Sequence, residues 1–292
     1  MTRVATPALA AAVSEAGGLG MLAIGRQSFR TIQHHVDDVL ARTSRPVGAG
    51  FIVPFLEPAT LDHLAERLPV IELFWGWPDP SLVRDRVVTG WQVGSADEAR
   101  AAVGSGCGYV VAQGIEAGGH VRGTIPLSEL VPSVRAAVDV PVVAAGGIAT
   151  SADVRRALAL GADAVRVGTR FLAAAEADAH PRYVDALVAA GPDDTIVTQT
   201  FSVGWPDAPH RVLGSAVAAA LADGPDPVGR MTLADGRQAE LRRRGTTPPT
   251  TATTGQIEAM ALYAGRGVGA VAGRTTAAAI VEELGAGSDA SA

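Results

Sequence analysis

The stretch "PVVAAGGIATSADVRRALALGADAVRVGTRF", residues 141–171, decides how this chain folds. It opens on a short β-branched run, breaks at Gly146-Gly147, and continues with helical period from an N-cap at Thr150 or Ser151 to a stop at Gly161. A second apolar run, 163–168, follows at once and ends in Gly168-Thr169. Strand, glycine turn, capped helix and strand make the βα unit of a parallel sheet. That unit puts bare backbone N–H groups and a positive helix terminus at the carboxyl end of the strand, a place suited to an anion. Two adjacent loops of this kind predict a phosphate site built from Gly146, Gly147, Gly168 and Thr169.

Outward from this stretch the same alternation runs back to residue 20. Apolar runs at 19–23, 46–53, 69–75, 87–93, 109–114, 141–147 and 163–168 give seven candidate strands, with helical segments between them. The helix at 96–106, capped by Ser95, repeats the pattern of the one at 150–162. Such regularity predicts a (β/α)8 TIM barrel, for which the count is one strand short. The chain opens almost directly on the helix "TPALAAAVSEAGG", with Pro7 in its first turn, so the first strand is expected to be missing, its place lying before Met1. We read residues 1–175 as the barrel body and 176–260 as a smaller, mainly helical second domain serving as substrate region or lid. "RGTTPPTTATTGQ" (244–256) reads as a linker, 261–284 as a helical return to the barrel, and 285–292 as a disordered tail.

Composition removes whole chemistries. With 292 residues, 48% of them hydrophobic, the chain buries a full core, and 34 glycines against 4% aromatics point to close backbone packing. The formal charge of −6 has the wrong sign for a nucleic-acid partner. "LRRRG" (241–245), the densest basic run, reads as a solvated helix end. All 24 basic residues are arginine, so a Schiff-base lysine, a pyridoxal-phosphate lysine and a Walker A loop are excluded. The single cysteine, Cys107, precedes its strand and reads as a buried small residue in a reducing compartment. The opening residues lack the apolar core of a signal peptide or a membrane span, so a cytoplasmic chain with no membrane partner is expected.

The candidate for chemistry lies in "VVAQGIEAGGHVRG" (110–123), where a strand gives way to a glycine-rich loop carrying His120. A histidine at the carboxyl end of a barrel strand, on the face that holds the two phosphate loops, suits acid/base work. The other histidines, at 34, 35, 63, 180 and 210, form no metal-ligand pattern, and no metal is expected. Trp75 and Trp77 in "LFWGWPDP" either wall a pocket or take a rim or core packing role.

"EAGGLG" (15–20), "WQVGSADEA" (91–99), "VVAQGIEAGGH" (110–120), "PVVAAGGIAT" (141–150), "GADAVRVGTRFL" (161–172), "GWPDAPHRVL" (204–213) and "ALYAGRGVG" (261–269) together resemble the nitronate monooxygenase family, formerly called 2-nitropropane dioxygenases. The resemblance covers about residues 1 to 284 and implies a (β/α)8 barrel binding FMN. It implies that His120 stands beside the flavin ring and that Gly146, Gly147, Gly168 and Thr169 hold its phosphate. It further implies that Gln92, Gln113, Gly118 and Met1 approach the flavin, Met1 as the remnant of a Pro-Met pair that ends the family's first strand. "GAGFIVPF" (48–55) has no asparagine where several members carry one. The implied activity is oxidation of alkyl nitronates with O2 to carbonyl compounds and nitrite, His120 acting as general base toward the neutral nitroalkane or as a cationic partner for the nitronate. Two alternatives share these segments: an FMN-dependent NAD(P)H:quinone reductase or enoyl-acyl carrier protein reductase, and a non-catalytic flavin-binding remnant. A homodimer is compatible with each.

Overall fold

The computed structural model describes residues 1, 3–233 and 236–286. After the opening helix α1 (Pro7–Glu15) the chain alternates β1 (Gly20–Ile24), α2 (Phe29–Arg42), β2 (Val47–Ile52), α3 (Pro58–Ala65), β3 (Val70–Phe74), β4 (Val88–Val93), α4 (Ala96–Gly104) and β5 (Tyr109–Gln113). A two-residue strand β6 (Gly119–His120) interrupts, and α5 (Leu127–Arg135), β7 (Val142–Ala145), α6 (Ser151–Ala159) and β8 (Ala164–Arg166) complete the body. Among the described residues all seven expected strands join one parallel sheet in the order β1-β2-β3-β4-β5-β7-β8. The outer strands β1 and β8 do not pair with each other, which leaves the curled sheet open where an eighth strand closes a (β/α)8 barrel.

The caps explain where the helices begin. Thr6 accepts from Leu9 N–H, Ser95 from Glu98 N–H, and Thr150 forms a reciprocal capping box with Asp153. Strand interiors are β-branched because helices cover the outer face while side chains fill the inside. Val110, Val142, Leu73 and Trp91 have no exposure. Part of the interior is polar: Arg166 reaches Glu72 as an ion pair, and Tyr109 hydroxyl donates to the same carboxylate at 3.4 Å. Cys107 is buried, and its thiol is pushed up to about 11 by desolvation, as suits an inert packing residue.

Residues 176–260 are not mainly helical. Among the described residues they hold two helices, α7 (Pro181–Val188) and α8 (Gly214–Leu221), and five strands: β9 (Thr195–Thr198), β10 (His210–Leu213), β11 (Gly229–Thr232), β12 (Gln238–Leu241) and β13 (Thr253–Gly255). These form two small antiparallel sheets, β6-β10-β9 and β12-β11-β13. Strands of three or four residues are too short to show a two-residue period, and this hides them in the sequence. The stretch 244–256 is not a free linker: Pro248, Pro249 and Thr250 are buried and Thr253–Gly255 pairs with β11. Nor is "LRRRG" a solvated helix end. It leaves β12, Arg242 clamps Asp226 with two nitrogens, and Arg243 donates to the carbonyls of Ala219, Ala220 and Ala222 at the end of α8.

The return segment reaches the last helix, α9 (Ala277–Gly285), through two short 3-10 turns at Ile257–Ala259 and Arg266–Ala270. Gly285 thus belongs to α9, and the tail from residue 287 lies outside the described residues. No helix among the described residues is long and apolar enough to cross a membrane.

Candidate active site

The carboxyl ends of β5, β7 and β8 lie side by side and carry the three loops singled out in the sequence. Gly146 and Gly147 both adopt left-handed backbone (φ 117° and 71°), a conformation that L side chains rarely take. The N–H groups of Ala149 and Thr150 go to Asp153. The N–H groups just ahead of α6 are therefore taken by its own carboxylate, and Gly146 and Gly147 before them are the candidate backbone donors for an anion. A Cβ built on Gly168 meets nothing nearer than Met1 sulfur at 4.0 Å, so this backbone is open to a ligand and Met1 stands beside it. Thr169 hydroxyl accepts from Gly265 N–H at 3.0 Å.

Other expected flavin contacts have structural work as well. Gly118 packs backbone to backbone on the Ala264-Gly265 peptide: a Cβ there would stand 2.3 Å from Gly265 nitrogen. Gln113 Nε2 donates to the carbonyl of His120 at 3.0 Å, fixing β6 against the end of β5. Gln92 is buried on β4. Arg211, which the sequence reading passed over, holds the opposite side. Its buried guanidinium donates twice to Ile115 carbonyl and also to the hydroxyl and carbonyl of Thr195.

His120 is on a short strand, not a free loop. It pairs with His210 across β6 and β10, and Nε2 of its ring is buried without a hydrogen-bond partner. An unpaired buried nitrogen costs free energy and is a usual mark of a site that meets a ligand. Burial pushes its imidazole down to about 3, with repulsion from His210 and the amino terminus adding to it. His120 is therefore neutral near pH 7, which suits a base or a hydrogen-bonding partner and removes the cationic role considered for it.

Four rings close around this imidazole. Trp205 stacks on it at 4.0 Å and 28°, Trp75 stands edge-on at 6.0 Å, His210 at 5.3 Å and Tyr263 at 5.6 Å. In a chain with 4% aromatics this is a concentrated apolar enclosure. Trp75 enters it through a left-handed backbone (φ 71°), an outlier for so bulky a residue, and such strain gathers at functional sites. Arg122 secures that turn by donating to Gly76 carbonyl while it pairs with Glu98 at 2.8 Å. Trp77, by contrast, is 60% exposed and lies outside the enclosure. The sequence offered Trp75 as one of two choices and gave no sign of Trp205, His210 or Tyr263 as its neighbours.

The glycine cradle and the unpaired Nε2 are what a phosphate at one end and a reactive ring at the other require, so the residues present fit a flavin nucleotide. Solved structures agree in shape. FabK from Thermotoga maritima matches with a TM-score of 0.76 at 28% identity, covering 98% of this chain and 90% of that one. Nitroalkane oxidase from Streptomyces ansochromogenes matches with a TM-score of 0.76 at 28% identity, covering 97% and 92%. A probable nitronate monooxygenase of Staphylococcus aureus is 31% identical over 248 residues, 68% of this chain and 70% of the relative. The 5-hydroxy-7a-methyl-1-oxo-octahydro-1H-indene-4-carboxyl-CoA dehydrogenase of Rhodococcus jostii is 32% identical over 223 residues, 75% of this chain. This chain spans 62% of that dehydrogenase's length.

The curled sheet is a (β/α)8 barrel short of one strand among the described residues, and the residues at its carboxyl edge fit a flavin nucleotide. The chain belongs to the nitronate monooxygenase family, whose model matches residues 1–72 and 81–287.

Proposed function

We propose that this chain is an FMN-dependent nitronate monooxygenase that oxidises alkyl nitronates with O2 to carbonyl compounds and nitrite. The observation that carries the reading is the buried, unpartnered Nε2 of a neutral His120 at the strand ends that also bear the glycine cradle. Backbone N–H groups of Gly146, Gly147 and Gly168, with Thr169 hydroxyl, would hold the FMN phosphate. Gln92 and Gln113 would line the ring edge, and Met1 would lie along its phosphate side. Bound FMN would supply the electron acceptor that takes electrons from the substrate and delivers them to O2.

The neutral imidazole can take the proton of a nitroalkane at Nε2, or offer that nitrogen to a nitronate oxygen in the other tautomer. Trp75, Trp205 and Tyr263 exclude bulk water and so strengthen any polar contact made inside. The likeness to the nitroalkane oxidase supports this substrate class.

A second reading, electron transfer between NAD(P)H and a quinone or an enoyl thioester, draws on the Rhodococcus relative, a dehydrogenase of a CoA thioester. One experiment separates them. The purified chain is loaded with FMN, made anaerobic, and mixed with propane-2-nitronate or with NADH and NADPH. Bleaching by the nitronate, followed by nitrite release on admitting O2, is the expected result. Bleaching by a nicotinamide alone would replace the proposal with the second reading, and failure to bind FMN would remove both.

A further inference from the structure

The loop 199–209, between β9 and β10, carries Trp205 onto the face of His120, and one buried side chain ties both of its ends. His210 has no exposure. Its Nδ1 lies 2.9 Å from Ala208 carbonyl, and its Nε2 lies 3.1 Å from the backbone nitrogen of Phe201. A carbonyl can only accept and an amide N–H can only donate, so the hydrogen sits on Nδ1 and the lone pair on Nε2. The ring is thereby fixed in one neutral tautomer with both nitrogens used. It has no proton to exchange with a substrate, although it stands 5.3 Å from His120 and opposite it in the β6–β10 register.

Both partners of His210 belong to the loop, and Trp205 lies between them in sequence. Further ties come from outside: Val203 N–H donates to Arg244 carbonyl at 3.1 Å, and Arg26 donates to Gly204 carbonyl while its guanidinium covers Phe55 at 3.9 Å. Phe55 meets Trp205 edge-on at 5.0 Å, and Trp75 does so at 4.9 Å. Trp205 thus has rings on three sides and stacks on one face of the His120 imidazole.

We propose that His210 is a positioning residue: by closing the loop 199–209 it holds Trp205 on His120, and Trp205 is the side chain that sets how large a substrate can reach His120. The size selection rests on the nitronate reading above; the positioning does not. A small nitronate reaches the buried, unpartnered Nε2 of His120 with Trp205 in place, whereas a branched or cyclic one must displace Trp205.

The test uses His210→Ala, His210→Asn, which keeps a donor for Ala208, and His210→Gln, which keeps an acceptor for Phe201. Trp205→Phe serves as control. Two indoles 4.9 Å apart at 68° couple their transitions, so the native chain is expected to show an exciton couplet in far-ultraviolet dichroism. Trp205→Phe removes it, and His210→Ala is expected to remove it too, with Asn and Gln intermediate. The preference in kcat/KM for propane-2-nitronate over the nitronate of nitrocyclohexane is expected to fall about tenfold in His210→Ala. Where that variant does not fold, hydrogen exchange on the native chain decides: the Phe201 amide, whose acceptor is Nε2 of His210, is expected to be protected. A couplet and a size preference unchanged in the foldable His210 variants, or an unprotected Phe201 amide, would overturn the proposal. If the native chain oxidises no nitronate, the functional reading fails alone, and dichroism and exchange still judge the positioning of Trp205.

Discussion

Acidification tests how completely the enclosure isolates His120. In the fold its imidazole is held down to about 3 by burial, against 6.5 for the free group, so the unfolded chain takes the proton first. A group whose folded value is depressed contributes fully above its unfolded value and loses that contribution as the pH falls toward the folded one. The window is therefore from about pH 6.5 down to about pH 3. At pH 4 the chain has crossed two and a half units of it, which at 1.36 kcal/mol per unit is about 3 kcal/mol. That is a large part of the stability of an ordinary domain, roughly 5–15 kcal/mol. Urea unfolding at pH 7 and pH 4, on the native chain and on His120→Phe, isolates it. Phenylalanine keeps a flat ring against Trp205 and cannot titrate, so the contributions of all other groups largely cancel between the two proteins. The native chain is expected to lose about 3 kcal/mol more than the variant. Equal losses would mean that His120 reaches water or a counter-charge in the fold, and both the unpaired Nε2 and the neutral-base argument would fall with it.

Other substitutions probe the supports of the site. Gly168→Ala adds a Cβ that meets only Met1 sulfur at 4.0 Å, so the melting temperature should hold while FMN retention, read from visible absorption after desalting, drops about tenfold; equal loss of both would refute a phosphate at this backbone. Gly118→Ala drives a Cβ to 2.3 Å from Gly265 nitrogen, where neither backbone can yield, and is expected to cost about 1–3 kcal/mol in denaturant melts. Arg211→Met strands Ile115 carbonyl and removes the donor to both oxygens of Thr195, whose hydroxyl keeps only its bond to Pro192 carbonyl, and a loss of about 3 kcal/mol should appear in the same assay.

How much of this was legible depends on the range of the interactions concerned. The seven parallel strands were readable because a strand buried on both faces is a continuous β-branched run, as at Val110–Ala112 and Val142–Ala145. The caps at Ser95 and at Thr150, the latter offered together with Ser151, were equally plain, since a cap is satisfied within four residues of itself. The segment 176–260 misled because its short antiparallel strands leave no period, and because a Thr/Pro stretch has the same composition whether it is solvated or paired with β11. Arg243 looked like surface charge, since its partners at the end of α8 are carbonyls, which any sequence supplies.

The sequence by itself determined the parallel sheet, the two glycine loops at the ends of β7 and β8, and the placing of His120 on the same face. Each of these follows from local backbone preference and from the rule that successive βα units return to one end of a barrel. Only the tertiary structure decided what surrounds that histidine. Trp75, the segment carrying Trp205 and His210, and Tyr263 lie far apart in the chain, and antiparallel pairing of β6 with β10 and a histidine-tied loop bring them together around His120. The neutrality of His120 is of the same kind, because desolvation is a property of the whole enclosure and of no single residue in it.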